Sequence, residues 1–424
     1  MSFASLGLID QIVRTLSALS YNSPTPVQSQ AIPAVLAGRD VMAAAQTGTG
    51  KTAGFALPLL QRLVMDGMQV NSNSARALVL VPTRELAEQV HQSVRAYGEG
   101  LPLRTMVAYG GVSINPQMMR LRKGVDLLVA TPGRLLDLQR QNALRFNQVQ
   151  TLVLDEADRM LDLGFSRDID QVLALLPKRR QTLLFSATFS DPIRALATKL
   201  LRDPVSIDAS PRNTTVKAIR QWIVPVDKKR KPELFLHLLK RHAWPQALVF
   251  VKTRKGVDQL VELLEAKGIS ADSIHGDKPQ PARLRALEGF KAGEVKILVA
   301  TDVAARGIDI DELPVVVNVD LPIVAEDYVH RSGRTGRAGA SGEAVSLVCA
   351  DEVQQLAAIE QLTNQTLERR EEPGFSPDHR VPETNAGGQI VKKPKKPKKP
   401  KKPKHGASAK GDAPVVQEDV RFRR

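Results

Sequence analysis

Residues 45–52 read Ala45-Gln46-Thr47-Gly48-Thr49-Gly50-Lys51-Thr52. A short apolar run, Val41 to Ala45, leads into them, and Ala53 to Leu63 continue as an apolar, helix-compatible stretch. Strand, glycine-rich loop, helix is the order of a phosphate cradle. Backbone N–H groups of such a loop turn in on phosphate oxygens, and the helix adds its positive end. Lys51 would neutralise terminal phosphates, and the Thr52 hydroxyl would ligate Mg²⁺ directly or through a water. The usual pattern begins with glycine; Ala45 stands there instead, so one permissive position is missing.

A second strand end supports the first. Asp155-Glu156-Ala157-Asp158 follows the apolar run Thr151 to Leu154. In a chain with a phosphate loop, an acid at that place is a second Mg²⁺ anchor, here Asp155. Glu156 would orient and deprotonate the attacking water. An acidic cap on a helix start is the plainer alternative. Ser186-Ala187-Thr188 ends another strand; its hydroxyls could bond Asp158 and relay the nucleotide state, or merely cap a helix. His330-Arg331-Ser332-Gly333-Arg334-Thr335-Gly336-Arg337 holds three arginines at spacing three, which a helix would gather on one broad face. Guanidiniums so clustered suit phosphates or carboxylates. They are expected to reach across a cleft as arginine fingers.

The 424 residues allow two domains and a tail. Hydrophobic residues make up 42% and charged residues 25%, as in a soluble globular protein. The single cysteine, Cys349, excludes an intrachain disulfide framework and a cysteine-based zinc site, and is expected in a buried strand. No run of about 18 apolar residues suggests a membrane span. The start, MSFASLGLID, lacks the basic flank and apolar core of a secretion signal. The expectation is a cytoplasmic protein with no membrane partner. Net charge is +15, of which residues 391–424 alone carry +10. The basic balance is a tail property, and it favours a polyanionic partner.

The chain organises as an N-terminal helical cap followed by two alternating α/β series. Candidate strands in the first are 40–44, 77–81, 104–109, 126–130, 151–155 and 181–186. Those in the second are 219–224, 247–251, 270–275, 297–301, 315–319 and 342–350. Near-continuous apolar strands between helices predict mostly parallel, helix-covered sheets, with ligands beyond the strands' carboxyl ends. The second series has no phosphate loop; it is either a degenerate copy of the first or a partner completing one site. The domains are read as 1–206 and 219–370, joined by a linker at 207–218. Residues 371–424 form a disordered Lys/Pro-rich tail. Within it, Lys392 to Lys404 place nine lysines in thirteen residues, with proline every third residue. That favours an extended, solvated rod. It is either a solubilising end or an RNA tether.

For nucleic acid, Pro82, Arg84, Gly110, Gly111, Thr131, Gly133 and Arg134 offer hydroxyls, backbone N–H groups and isolated arginines. These suit a sugar-phosphate track better than base edges. Aromatic residues are 4% of the chain, too few for a stacking platform. Thr301 to Asp309 follow another strand and could line the same cleft.

Taken together, the sequence resembles the DEAD-box ATP-dependent RNA helicases, most closely the bacterial RhlE-type group. The matching blocks run in order from Phe3 and Thr25-Pro26-Val27-Gln28 through AQTGTGKT, PTREL (82–86), Gly110-Gly111, TPGR (131–134), DEAD (155–158) and SAT (186–188). They continue with VFVKT (249–253), His275-Gly276-Asp277 with Gln280 and Arg283, TDVAARGID (301–309) and HRSGRTGRAG (330–339). The resemblance implies two tandem RecA-like domains and the cofactors ATP and Mg²⁺. It implies that Gln28 reads adenine with Phe3 packed nearby, and that Asp309 lies near the ribose. Asp158, Ser186, Thr188, His330 and Arg331 would couple nucleotide to domain closure, with Arg334 and Arg337 as the fingers. Arg84, Gly111, Thr131, Arg134, Gly276, Gln280, Arg283 and Thr301 would line RNA. Val27, Ser332, Pro279 and Pro281 depart mildly from the pattern. The expected activity is an RNA-dependent ATPase that unwinds short duplexes as a monomer, in ribosome biogenesis or RNA decay. A DNA helicase or translocase, or an ATP-gated RNA clamp, are the other readings.

Overall fold

The computed structural model describes residues 2–45, 49–187, 189–208, 219–305, 310, 313–336 and 342–390. Gln46, Thr47, Gly48, Thr188, Asp309 and Arg337, all expected site residues, lie outside them.

The first lobe is built on seven strands: β1 (Val41–Ala44), β2 (Ala75–Leu80), β3 (Thr105–Ala108), β4 (Val125–Ala130), β5 (Thr151–Leu154), β6 (Gln181–Ser186) and β7 (Val205–Asp208). The second has β8 (Ile219–Pro225), β9 (Ala247–Phe250), β10 (Ala271–Ile274), β11 (Ile297–Ala300), β12 (Val315–Asn318), β13 (Gly342–Val348) and β14 (Glu368–Arg369). All pairings within the two sheets are parallel. Helices cover both faces, which is why β4 and β5 read as unbroken apolar runs and are buried at every position.

The strand orders are β3-β4-β2-β5-β6-β1-β7 and β10-β11-β9-β12-β13-β8-β14. Each strand of the second sheet occupies the place of the strand seven earlier. The second lobe is therefore a copy of the first at the level of topology. Where β1 leads into the phosphate loop, β8 is followed by a short 3-10 turn, Lys228–Arg230. Among the described residues five buried apolar clusters form, and none of them draws residues from both lobes.

Three sequence boundaries move. Val205 to Asp208 pair with β1, so the first domain runs through 208, past the expected 206. Cys349 is buried but stands just past β13, where burial raises its thiol pKa. Residues 371–390, expected as tail, are folded onto the second lobe. The Arg230 guanidinium lies 4.5 Å from the Phe375 ring centre, and the His237 ring lies 5.2 Å from it. His237 and Arg241 both meet Glu372. Arg369 donates to the carbonyls of Val381 and Pro382 at 3.1 and 2.7 Å. Phe375 and Val381 are buried. This strap lacks periodicity because it is held by isolated anchors rather than by a repeating face. Among the described residues no helix is long and apolar enough to cross a membrane.

Candidate active site between the two lobes

Parallel strands send all their carboxyl ends to one edge, and strand order decides which ends are neighbours. In the first lobe β5, β6 and β1 are adjacent. The DEAD residues, Ser186 and the phosphate loop therefore meet on one half of that edge. On the other half, β3, β4 and β2 bring Gly110-Gly111, Thr131 and Pro82 to Arg84 together.

Lys51 opens the helix Lys51–Asp66, preceded by Gly50 in the left-handed region at φ 85°. Its ammonium is buried without a hydrogen-bond partner among the described residues. A buried cation so placed calls for an anion. Thr52 is the second residue of that helix and half-buried. Asp155 is 3% exposed, and its pKa rises to about 6 through burial, against the pull of Lys51. Thr52 and Asp155 carry oxygens of the kind that would hold Mg²⁺ beside nucleotide phosphates, an ion that takes few protein ligands and retains water. Gln28 is buried; its Oε1 accepts from Thr25 N at 2.9 Å and its Nε2 donates to Gly50 O at 3.1 Å. The residue expected to read adenine is thus also fastened to the phosphate loop. Phe3 is buried in the first lobe's apolar core.

Glu156 sits in left-handed backbone, φ 52° and ψ 52°, at the start of the short helix Ala157–Asp162. Burial alone would raise its pKa; Arg159, Lys51 and Arg334 outweigh burial and hold it below the usual carboxylate range. Asp158 Oδ2 accepts from the backbone N–H of Ala187 at 2.9 Å. This main-chain bond ties Asp158 to the end of β6.

The second lobe closes over this half. Lys51, Glu156 and Asp158 share one cleft with His330, Arg331 and Arg334. His330 keeps an exposed edge at the rim. Desolvation holds its pKa below the ordinary imidazole value, with Asp158 opposing and Arg334 adding. The helix Ala325–Ser332 stops at Gly333, so the arginines do not share one helical face as expected. Arg331 turns inward: both Asp302 carboxylate oxygens lie 2.6 Å from it, and it donates to Asn318 Oδ1 and Asp320 O at 2.8 Å. Arg334 lies beyond the helix end, buried, and its charge acts on Glu156.

The other half repeats between lobes. In the first, the Arg84 guanidinium covers Gly111, and Arg134 donates to Val112 O at 2.8 Å. In the second, the Arg254 guanidinium covers Gly276. Thr83 and Thr253 cap the two equivalent helices, accepting from Leu86 N and Gly256 N. Thr131 and Thr301 both follow the equivalent strands β4 and β11 and are buried. Pro82 is buried, Gly110 is half-buried, and Gly133 is the second residue of the helix after Thr131. Gln280 and Arg283 are not open to a strand as expected. Both are buried against Glu85 of the first lobe, at 2.7 and 3.0 Å. Sequence reasoning missed Arg254, although Thr253-Arg254 repeats Thr83-Arg84 at the equivalent strand end. It also missed the clasp role of Glu85, which no local pattern marks.

Comparison with known proteins agrees with this geometry. The DEAD/DEAH box helicase family profile matches residues 25–196, and the helicase conserved C-terminal domain profile matches 230–339. The DEAD-box ATP-dependent RNA helicase CshA of Geobacillus kaustophilus is 42% identical over 372 residues, covering 88% of this chain and 79% of that protein. Among solved structures, S. cerevisiae Dbp5 bound to RNA and ADP BeF3 matches with TM-score 0.76 and 32% identity, over 89% of this chain and 95% of that one. Mss116p bound to ssRNA and AMP-PNP matches with TM-score 0.78 and 30% identity, over 88% and 79%. The two sheets are the tandem RecA-like domains of these helicases. The relatives cited do not support the RhlE-type subgroup. The chain belongs to the family of DEAD-box ATP-dependent RNA helicases, enzymes that hydrolyse ATP.

Proposed function

We propose that this helicase binds ATP with Mg²⁺ in the cleft and grips one RNA strand alongside it, separating short duplexes or remodelling ribonucleoprotein as the lobes close. The meeting of Lys51, Glu156 and Arg334 from two lobes carries this reading. Lys51 holds the β- and γ-phosphates. Mg²⁺, held through Thr52 and Asp155, would supply charge neutralisation to the phosphates. Glu156 takes the proton of the attacking water, and Arg334, with Arg337, steadies the charge that develops on the γ-phosphate. Hydrolysis removes the anion that draws Lys51 and Arg334 together, so the lobes reopen and the strand leaves. Arg84, Gly111, Thr131, Arg134, Gly276 and Thr301 hold the backbone rather than the bases, which makes the activity tolerant of sequence. Ribosome precursors and RNA-decay substrates both fit such a reader.

The deciding measurement is the ATPase rate with no nucleic acid, single-stranded RNA, duplex RNA and DNA. Strong stimulation by RNA alone, with unwinding limited to short duplexes, is expected. Equal stimulation by DNA, with unwinding of long DNA, would favour a DNA translocase. RNA binding indifferent to ATP analogues would favour a passive scaffold.

A further inference from the structure

Arg159 is used by none of these steps. It lies three residues after Glu156, on the first turn of the helix Ala157–Asp162. Its Nη1 stands 3.1 Å from Glu156 Oε2, and the two side chains are only 12% and 9% exposed. It lines the same cleft as Lys51 and Arg334. The backbone of Glu156 is also held: it is left-handed, and its N–H donates to Asp155 Oδ1 at 3.0 Å. A non-glycine residue in that conformation costs on the order of 1 kcal/mol and persists where its surroundings over-determine it. A glutamate still has a long, freely turning side chain, and a nearby water meets a useful oxygen only if that freedom is removed.

We propose that Arg159 is a positioning residue for ATP hydrolysis: it holds Oε2 of Glu156, so that Oε1 faces the attacking water. The water oxygen then bonds the γ-phosphorus, its proton passes to Oε1, and the bridging P–O bond breaks with its electron pair leaving on ADP. The inference rests on the reading of Glu156 as the base. It separates Arg159 from Arg334: one arginine aims the base, the other meets the phosphate.

The test uses the full-length protein with saturating RNA, comparing Arg159→Met, Arg159→Lys, Glu156→Gln and the double variant Arg159→Met/Glu156→Gln. Arg159→Met is expected to lower kcat about tenfold with KM for ATP unchanged, as for a group that aims a base without touching substrate. Arg159→Lys should restore a large part of the loss. In the Glu156→Gln background, Arg159→Met should have no further effect, because the two act as a unit. If methionine lowers the melting temperature, Arg159→Gln is read in its place. Wild-type kcat in the Arg159 variants overturns the proposal. So does a raised KM at unchanged kcat, which would put Arg159 on the nucleotide, or an equal loss in the Glu156→Gln background. Wild-type turnover in Glu156→Gln alone is a different failure: it removes the base itself.

Discussion

Gln280 Nε2 lies 2.7 Å from Glu85 Oε1, joining two buried side chains 195 positions apart and on different lobes. Arg283 reaches the same carboxylate oxygen at 3.0 Å. One acid of the first lobe thus clasps two donors of the second. The clasp exists only when the lobes meet, so it should favour the closed state. Glu85→Ala is expected to weaken RNA binding in the presence of an ATP analogue about tenfold, the loss of one charge-assisted clasp. RNA binding without nucleotide should hardly change. Anisotropy of a labelled RNA reads both, and an equal loss in both would place Glu85 on the RNA instead.

Glu156→Gln should bind ATP and RNA yet hydrolyse at least about 100-fold more slowly, the usual scale for a lost general base. A phosphate-release assay checks this, with nucleotide affinity measured separately by a fluorescent analogue.

Arg334→Ala should lower RNA-stimulated turnover about 100-fold, the scale of one preorganised charge on the transition state. ATP affinity measured without RNA should stay close to wild type, since Arg334 comes from the opposite lobe. A large loss of that affinity would mean that Arg334 serves ground-state binding.

The strap gives a pH-dependent stability. Burial would raise the pKa of Glu372, but its hydrogen bonds to Arg241 and His237 outweigh that and lower it. A carboxyl lower in the native than in the unfolded state stabilises above its unfolded value, near pH ~4.3, and loses that contribution as pH falls through the native value. Glu372→Gln should therefore cost about 1 kcal/mol at pH 7. The gap from wild type should close as the pH falls below the ordinary carboxylate range. Thermal melts at a series of pH values show whether it does.

Removing residues 391–424 takes away +10 of the net +15. If the tail grips RNA, the truncated protein should bind RNA more weakly at low salt and show a shallower fall of affinity with salt. An identical salt slope would assign the tail to solubility alone.

The placement of Lys51, Asp155 and Ser186 at one sheet edge was readable because its signals are local: loop, acid and hydroxyl each follow an apolar strand. The alternation of strands and helices gave the two lobes for the same reason. Two short edge strands escaped notice. In β7 only one of four residues is buried, and β14 has two residues, so neither shows an apolar period. The helix stop at Gly333 separated arginines whose spacing suggested a shared face. The Glu85 clasp and the Glu372 anchor of the strap depend on partners more than 130 residues away. Spacing along a chain carries no record of such contacts.

Among the described residues no buried apolar cluster spans the two lobes, and the clasp of Gln280 and Arg283 on Glu85 that joins them is polar. Opening the cleft therefore splits no shared apolar core. Calorimetry without ligands should resolve two endotherms rather than one, and ATP with RNA should draw them together into a single cooperative event. The molecule would then melt as two bodies at rest and as one when loaded.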